Sequence, residues 1–438
     1  MKKTLALLIT VVLAFMLFGC EAKTETSSET ILGQETTKAL ENESSSEMDE
    51  DDYVFEDEIV IGRVVPETGT LKNFGDGTPF VEQLAIDEIN ERGGIVIDGK
   101  RCRLKLLCRN SNSTLTGARR AAWELIVEGI DVMIVSNTDD TVSPVSAICE
   151  REGIACISVD APVSAWLMGG PYKNSWHTFF DNEREMLCFY DVWEQIDSNK
   201  KIGLITANDT EGVEISTFIH DFAATKGYSI YDYGSYFLGQ KDYSDWIEYF
   251  KEKDCDIILG VMVSADFKTF WSQLNETDYK PKMCTIAKAC LFEEDIEELG
   301  EIGDGLITEV WWTQNFPYAS SISGITSKEL SEIYENKIER KRSEVPVTVG
   351  YKYANIEILY DILKRAGTLD LDTINKCAEE TNLNTIIGKV SFNEDHVSLM
   401  PCVAGQWILN GDGTFHREIV GNYLIPNLEK TAKVKLLD

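Results

Sequence analysis

Histidine and positive charge are both scarce in this sequence. Only four histidines occur among 438 residues, and no two are spaced as metal ligands on one helix would be, which argues against a zinc hydrolase. Lys and Arg number 41 against 74 Asp and Glu, which gives a formal net charge of −33. Because phosphate binding requires a surplus of Lys and Arg, this balance argues against a nucleic-acid partner and against attraction to anionic membrane surfaces.

The motifs of common enzymes and cofactor sites are missing too. The chain has no nucleophile elbow, P-loop or glycine-rich dinucleotide fingerprint, and Gly75-Asp-Gly77 is too short to be one. The ten cysteines after Cys20 form no CxxC pair and no zinc-type spacing, so no metal is expected and no disulfide is assigned. We therefore predict that the protein is not an enzyme and has no catalytic residues, cofactor or metal.

The N-terminal residues have the pattern of an export signal. Two lysines follow Met1, and the apolar run from Leu5 to Phe18 is interrupted only by a threonine. Its fourteen residues suit a signal peptide but fall short of the ~20 that a membrane-spanning helix needs. The run ends in Leu-Phe-Gly-Cys20, which resembles the lipobox of bacterial lipoproteins and implies a signal peptide over residues 1–19 and a lipid on Cys20. An ordinary secretory signal with an incidental cysteine is the alternative.

An acidic stretch without a core follows the export signal. Residues 21–52 contain ten Ser or Thr, eleven Asp or Glu and only two Lys. Such a stretch buries too little apolar surface to fold, and its charges keep it extended. We expect residues 20–56 to form a tether between a lipid anchor, on the extracellular face of the cell membrane, and an ordered body that begins near Asp57.

The body alternates between strand-like and helix-like segments, and the length of the chain suggests two domains or three. Apolar runs predict strands at 58–65, 104–108, 131–136, 153–159, 201–206, 229–237 and 255–261. Helical spacing of apolar residues predicts helices at 81–89, 117–128, 211–226, 242–253 and 350–365, with another opening around Pro144. This alternation predicts an α/β fold in which parallel sheets have helices on both faces.

Several segments, in order along the chain, resemble one known family. They are IVIGRVVPETG (59–69) with Phe74-Gly75, LAIDEINERGGI (84–95), GQKDYSDWI (239–247), CDII (255–258) and IGKVSFNED (387–395). Together they are similar to the type I periplasmic solute-binding proteins, in particular the branched-chain amino-acid-binding group. The resemblance implies two Rossmann-like lobes joined by three crossovers, which trap a ligand between them by hinge closure.

Lobe boundaries can be mapped from the same resemblance. It places residues 57–178 and 310–390 in the first lobe, and residues 179–309 and 391–438 in the second. The chain should then change lobes near residues 177–181, 308–313 and 388–396. Ligands of open α/β sheets bind beyond the carboxyl ends of the strands, so the loops that follow the strands are the candidate site.

In the first lobe, the candidates follow two predicted strands. By resemblance, Asp139 takes the position where amino-acid binders use a hydroxyl, and Asp140 is its neighbour. Asp160 and Ala161 match further contact positions of the family. Phe74 offers a stacking surface. The alternatives are ordinary ones: the acids suit a helix N-cap or a turn, and an aromatic residue near a strand end suits packing.

In the second lobe, Glu211 lies, by resemblance, where amino-acid binders carry an aromatic residue, and it is a candidate ligand contact. The alternative is that Glu211 only stabilises a helix N-terminus through the helix dipole. Ser264 and Lys288 mark two further strand ends, and Trp312 is a second stacking candidate. Ala287 occupies the position expected to hold an acid for an α-ammonium group. We therefore expect a small polar ligand, amino-acid-like or an amide or amine, with a cationic or strong donor group, rather than a simple branched-chain amino acid.

The resemblance implies a solute-binding receptor that delivers its ligand to an ABC importer. Its expected partners are a small molecule, the transporter permease and, through Cys20, the membrane, and the protein itself is expected to be a monomer. Two alternatives stay open from the sequence. One is a ligand-sensing lipoprotein that signals to a membrane receptor or kinase, and the other is an extracellular enzyme.

Overall fold

Strands and helices alternate along most of the chain in the computed structural model, which describes residues 53–338 and 344–437. The strands are β1 (Asp57–Val65), β2 (Ile95–Ile97), β3 (Lys100–Asn110), β4 (Val132–Val135), β5 (Cys156–Val159), β6 (Ser175–Phe179), β7 (Lys201–Thr206), β8 (Ser229–Asp232), β9 (Ile257–Val261), β10 (Met283–Ala287), β11 (Ile307–Val310), β12 (Leu383–Thr385), β13 (Gly388–Val390), β14 (Val397–Leu399), β15 (Val403–Leu409) and β16 (Phe415–Gly421). The helices are α1 (Thr78–Glu91), α2 (Leu115–Val127), α3 (Asp139–Glu152), α4 (Val163–Met168), α5 (Asn182–Trp193), α6 (Thr210–Thr225), α7 (Ser244–Lys253), α8 (Ser264–Asn275), α9 (Glu293–Glu297), α10 (Ser327–Lys337), α11 (Val349–Ala366) and α12 (Leu371–Glu379).

Two seven-stranded sheets organise these elements. The first has the order β14-β6-β5-β4-β1-β3-β2, and the second has the order β16-β15-β11-β10-β9-β7-β8. The central strands of both sheets run parallel, whereas β2 in the first sheet and β15 and β16 in the second pair antiparallel. Each sheet with its helices is called a lobe below. The two-lobe α/β architecture predicted from the sequence is confirmed.

Local sequence explains how these elements begin, end and pack. The strands β4 and β5 are buried at every residue, as expected where helices cover both faces of a parallel sheet. The helix α10 starts with a capping box between Thr326 and Glu329. The helix α11 ends at Ala366, and the next residue, Gly367, has a φ of 61°, the left-handed conformation that glycine adopts most easily.

The chain passes between the lobes three times. It leaves the first sheet after β6, returns after β11, and leaves again after β14. The sequence prediction assigns residues from 391 onward to the second lobe, but β14 pairs with β6 in the first sheet, so the third passage lies between β14 and β15. The predicted strand 229–237 is also shorter, because β8 ends at Asp232. Strands of three or four residues, such as β14 and β8, are too short for their apolar periodicity to predict their bounds or their sheet.

The predicted signal peptide, the lipid site at Cys20 and the tether as far as residue 52 lie outside the described residues. Residues 53–56, the end of the predicted tether, precede β1 without forming a helix or strand. Within the described part of the chain, no helix is both long enough and apolar enough to cross a membrane.

Candidate functional site

A small cavity lies where strand ends of the two lobes face each other. We call it the interlobe cavity, and it is lined by Phe74, Thr138, Asp160, Pro162, Phe179, Phe180, Glu211, Lys288, Glu309 and Trp311. Its volume is about 20 Å³, which leaves room for roughly one water molecule. Most of its lining follows the carboxyl ends of parallel strands, where open α/β sheets bind ligands. A ligand of amino-acid size can enter only if the lobes separate.

Contacts between the lobes close this cavity. The helix α4 of the first lobe packs against α6 of the second. Phe74 of the first lobe meets Phe292 of the second edge-on, with ring centroids 5.0 Å apart. Arg417 of β16 lies 3.6 Å from Glu344, which precedes α11. The structure is therefore a closed form of the two lobes.

Four aromatic rings form one wall of the interlobe cavity. Trp311 lies at their centre: the Phe179 ring stands edge-on to it at 4.9 Å, and the Phe74 and Phe180 rings lie 5.9 and 6.2 Å from it. Phe179 and Phe180 stack on each other at 4.0 Å. The faces of these rings carry negative charge density, which attracts cations as well as apolar groups.

Asp160 is the main polar group that the first lobe contributes. It follows β5 with a left-handed φ of 64°, and its side chain is fully buried. Its Oδ2 accepts a hydrogen bond from the ammonium of Lys352, a buried residue of α11. Burial raises the pKa of the Asp160 carboxyl, whereas Lys352 lowers it. The pair keeps a carboxylate at the edge of the cavity.

Arg63 holds the loop that follows β4 through hydrogen bonds to its side chains. This residue of β1 is buried, and its Nε lies 2.7 and 2.8 Å from the two carboxylate oxygens of Glu82. Its Nη2 donates to Ser136 Oγ at 2.6 Å and to Asn137 Oδ1 at 3.2 Å. The next residue, Thr138, has φ 64° and ψ 159°, a conformation that is nearly exclusive to glycine. Such strain persists only when the surroundings fix it, which is typical of ligand sites.

In the second lobe, Lys288 joins two carboxylates. Its Nζ lies 2.9 Å from Asp209 and 3.1 Å from Glu211, at the start of α6. Burial opposes the charge on Lys288, but the two acids outweigh it and raise the pKa of the ammonium. Glu211, which the sequence offered as an acid facing the ligand, therefore has its charge largely neutralised by Lys288.

Glu309 is a further acid of the second lobe that lines the interlobe cavity. It lies on β11, is buried, and accepts a hydrogen bond from the Lys288 backbone N–H at 3.1 Å. Burial raises its pKa to about 8, and the nearby Glu211 adds to the shift. Glu185 of α5 is equally buried, and burial together with Glu309 raises its pKa well above the usual range. Burial thus favours the neutral form of both carboxyl groups.

Four buried side-chain atoms of the cavity lining have no assigned hydrogen bond among the described residues. They are Thr138 Oγ1, Asp160 Oδ1, Glu309 Oε2 and the Trp311 indole N–H. A buried polar group without a partner costs about 1–3 kcal/mol, so native proteins rarely keep several in one place without a ligand or water to satisfy them. Their convergence makes the interlobe cavity the candidate binding site.

The predicted site residues fall into two groups. Phe74, Asp160, Glu211 and Lys288 line the interlobe cavity. Asp139, Asp140, Ala161, Ser264 and Trp312 are outside its lining. The site therefore contains four of the nine ligand candidates.

Each of the other five has a structural role or faces solvent. Asp139 accepts from the hydroxyl of its helix neighbour one turn on, and Asp140 is exposed. The Ala161 carbonyl accepts from a buried histidine at 2.7 Å, and Ser264 donates to an aspartate of α9 at 2.8 Å. Trp312 is fully buried and donates to the Ile386 carbonyl at 3.1 Å.

Trp312 packs against the first turn of α11 at a glycine. A Cβ on Gly350 would lie 2.4 Å from its ring, so only glycine allows this contact. Trp311, one residue earlier, turns to the cavity instead. Of the two adjacent tryptophans, Trp312 therefore fits the packing alternative given for it, and Trp311 lies in the cavity wall.

Six lining residues were not singled out as ligand contacts from the sequence. They are Thr138, Pro162, Phe179, Phe180, Glu309 and Trp311. A signal existed for Glu309, the only acid in the apolar run GLITEVWW at 305–312. No cluster of three or more possible metal ligands occurs in the described part of the chain.

Comparison with known families gives a match over most of the chain. The model of the family described as periplasmic binding protein matches residues 58–413. Leu/Ile/Val-binding protein homolog 8 of Brucella abortus is 23% identical over 232 residues, covering 51% of this chain and 56% of the relative. The chain thus spans little more than half the length of that relative. The Leu/Ile/Val-binding protein BraC3 of Rhizobium johnstonii is 22% identical over 346 residues, covering 77% and 88%.

Solved structures share the two-lobe fold. The leucine-binding protein LivK from Thermotoga maritima superposes with a TM-score of 0.68 at 18% identity, covering 82% of this chain and 97% of that one. The branched-chain amino acid transporter substrate-binding protein LivJ from Streptococcus pneumoniae, in complex with isoleucine, gives a TM-score of 0.67 at 20% identity, covering 83% and 99%. At these identities the likeness establishes the fold.

Proposed function

Because the chain belongs to the periplasmic binding protein family, we propose that it is a solute-binding receptor that captures a small polar molecule between its lobes. The proposed receptor presents its closed, loaded form to the permease of an ABC importer. One observation carries the proposal: four unpartnered buried polar atoms converge on a cavity between two lobes that are in contact. The family and the similar structures are those of binding proteins, in agreement with the prediction that the chain is not an enzyme.

The proposed ligand carries a cationic or strong hydrogen-bond donor group. Asp160 Oδ1 and Glu309 Oε2 are acceptors without partners, and they belong to opposite lobes. A donor bound between them would satisfy both and hold the lobes together. Asp139 and Glu211, which the sequence also placed among the acids facing the ligand, carry no weight here, because Asp139 is outside the cavity lining and Glu211 is paired with Lys288.

A true ligand is expected to stabilise and compact the protein. At about 100 times its dissociation constant, a ligand that binds only the folded state adds about 2.7 kcal/mol to the free energy of unfolding. Thermal unfolding should show the stabilisation, and small-angle scattering should show a smaller radius of gyration, because lobe closure by hinge motion shortens the molecule. A saturating ligand that stabilises the protein without compaction would contradict capture between the lobes.

We further propose that a lipid on Cys20 anchors the mature protein to the extracellular face of the cell membrane. The support is the lipobox-like sequence LFGC at residues 17–20 after an apolar run. Cys20→Ser removes the thiol that would carry the lipid, so most of the protein should move from the detergent phase to the aqueous phase on partitioning. Cys377→Ser, in a helix of the body, serves as the control and should leave partitioning unchanged. Equal membrane retention of Cys20→Ser and wild type would refute the anchor.

A further inference from the structure

We propose, building on the receptor function above, that the interlobe cavity selects protonated organic amines that lack a carboxylate over free amino acids. The proposal rests on which polar atoms of the cavity are free and which are already paired. It also rests on the aromatic wall that faces them. It names a ligand class that differs from the amino acids in the names of the relatives.

The free acceptors of the cavity are carboxyl oxygens. Asp160 Oδ1 and Glu309 Oε2 are both buried and unpartnered among the described residues. An organic ammonium has up to three N–H donors and a positive charge, so it can donate to both oxygens at once. Hydrogen bonds in which the donor or the acceptor is ionised are about twice as strong as those between neutral groups. An ammonium is therefore the group that best complements these two oxygens.

A ligand carboxylate would find no free positive charge in the cavity lining. Lys288 is held by two carboxylates at 2.9 and 3.1 Å, and Lys352, behind the lining, is held by Asp160. Pro162 has no backbone N–H to donate. Among the buried side chains of the lining, only the Thr138 hydroxyl and the Trp311 indole N–H are donors without an assigned hydrogen bond; both are neutral, and the indole already interacts with Glu309. Desolvating a carboxylate against two neutral donors is unfavourable, and the nearby acids would repel it.

The aromatic wall suits the rest of such a ligand. Phe74, Phe179 and Phe180 surround Trp311 at ring-centroid distances of 4.9–6.2 Å, and the four rings offer an apolar surface for an alkyl or aryl body. A cation over the face of these rings gains further attraction. An amine with an apolar body thus uses both sides of the cavity.

The decisive experiment compares amino acids with the amines that differ from them only by loss of the carboxylate. Isothermal calorimetry at pH 7 would use leucine against 3-methylbutylamine, phenylalanine against 2-phenylethylamine, and tyrosine against tyramine. We expect at least one amine to bind at least tenfold more tightly than its amino acid. An amino acid that binds as tightly as its amine, or a complete lack of amine binding, would overturn the proposal.

A substitution at the acceptor tests the same idea from the side of the protein. Glu309→Gln keeps the shape, but the amide cannot lose a proton to become the carboxylate that an ammonium would pair with, so amine affinity should fall by about 10- to 100-fold. Glu183→Gln is the matched control on an exposed position of α5, and it should bind like the wild type. Unchanged amine affinity in Glu309→Gln would overturn the assignment of the ammonium to this residue.

Failure of this proposal can be told apart from failure of the receptor function. If amines do not bind but another solute stabilises and compacts the protein, the amine class is wrong and the receptor function stands. If an amine binds tightly but the radius of gyration stays constant, the ligand class stands and capture by closure is wrong.

Discussion

Lys352→Met is expected to lower the free energy of unfolding by about 3–5 kcal/mol at pH 7. Lys352 and Asp160 form an ion pair in which both side chains are fully buried. Methionine fills a similar volume, but it leaves a carboxylate in an apolar environment without its cation. Urea unfolding followed by tryptophan fluorescence would measure the loss as a shift of the midpoint.

The exposed pair of Lys173 and Asp372 provides the control for this prediction. The two side chains lie 3.3 Å apart and are 74% and 84% exposed, so Lys173→Met should cost no more than about 1 kcal/mol. Adding Asp160→Asn to Lys352→Met should recover part of the lost stability, because an amide is cheaper to bury than a charge. Equal losses in the buried and the exposed lysine variants would show that burial does not govern the strength of this pair.

The alternation of elements could be predicted because it depends on local patterns. Buried strands such as β4 and β9 are short apolar runs, and α11 shows one apolar face and a glycine stop. The assignment of β14 to the first sheet depends instead on its pairing with β6, more than 200 residues earlier in the chain. No local signal in three residues can specify such a partner.

The sequence could predict the candidate site only through the rule that ligands bind beyond the carboxyl ends of parallel strands. That rule found Asp160 and Lys288, which directly follow β5 and β10. It could not choose between Trp311 and Trp312, since the choice depends on the contact of Trp312 with Gly350. The rule also missed Glu309, because this residue lies within β11 and not after it. Whether a strand residue faces the cavity depends on the packing of the second lobe, which the sequence does not show.

Glu309 should make the stability of the protein fall as the pH rises. Burial raises the pKa of Glu309 from 4.5 to about 8 in the folded state. Between these values the folded chain keeps the proton and the unfolded chain has lost it, so a rising pH favours unfolding. The groups that face Glu309 are Glu211, Glu185, the Lys288 backbone N–H and Trp311, and burial outweighs their combined effect.

Glu309→Gln removes this titration, because glutamine carries no proton in the range and can still accept the hydrogen bond from Lys288. From pH 5 to pH 8 the wild type should lose about 3 kcal/mol more stability than the variant, as measured by urea unfolding at each pH. Glu183→Gln, on the exposed face of α5, should follow the wild-type curve. Parallel curves for wild type and Glu309→Gln would mean that Glu309 is ionised in the folded protein. If Glu309→Gln is more stable than the wild type at pH 8 yet binds amines less tightly, then Glu309 contributes to binding and lowers the stability of the protein.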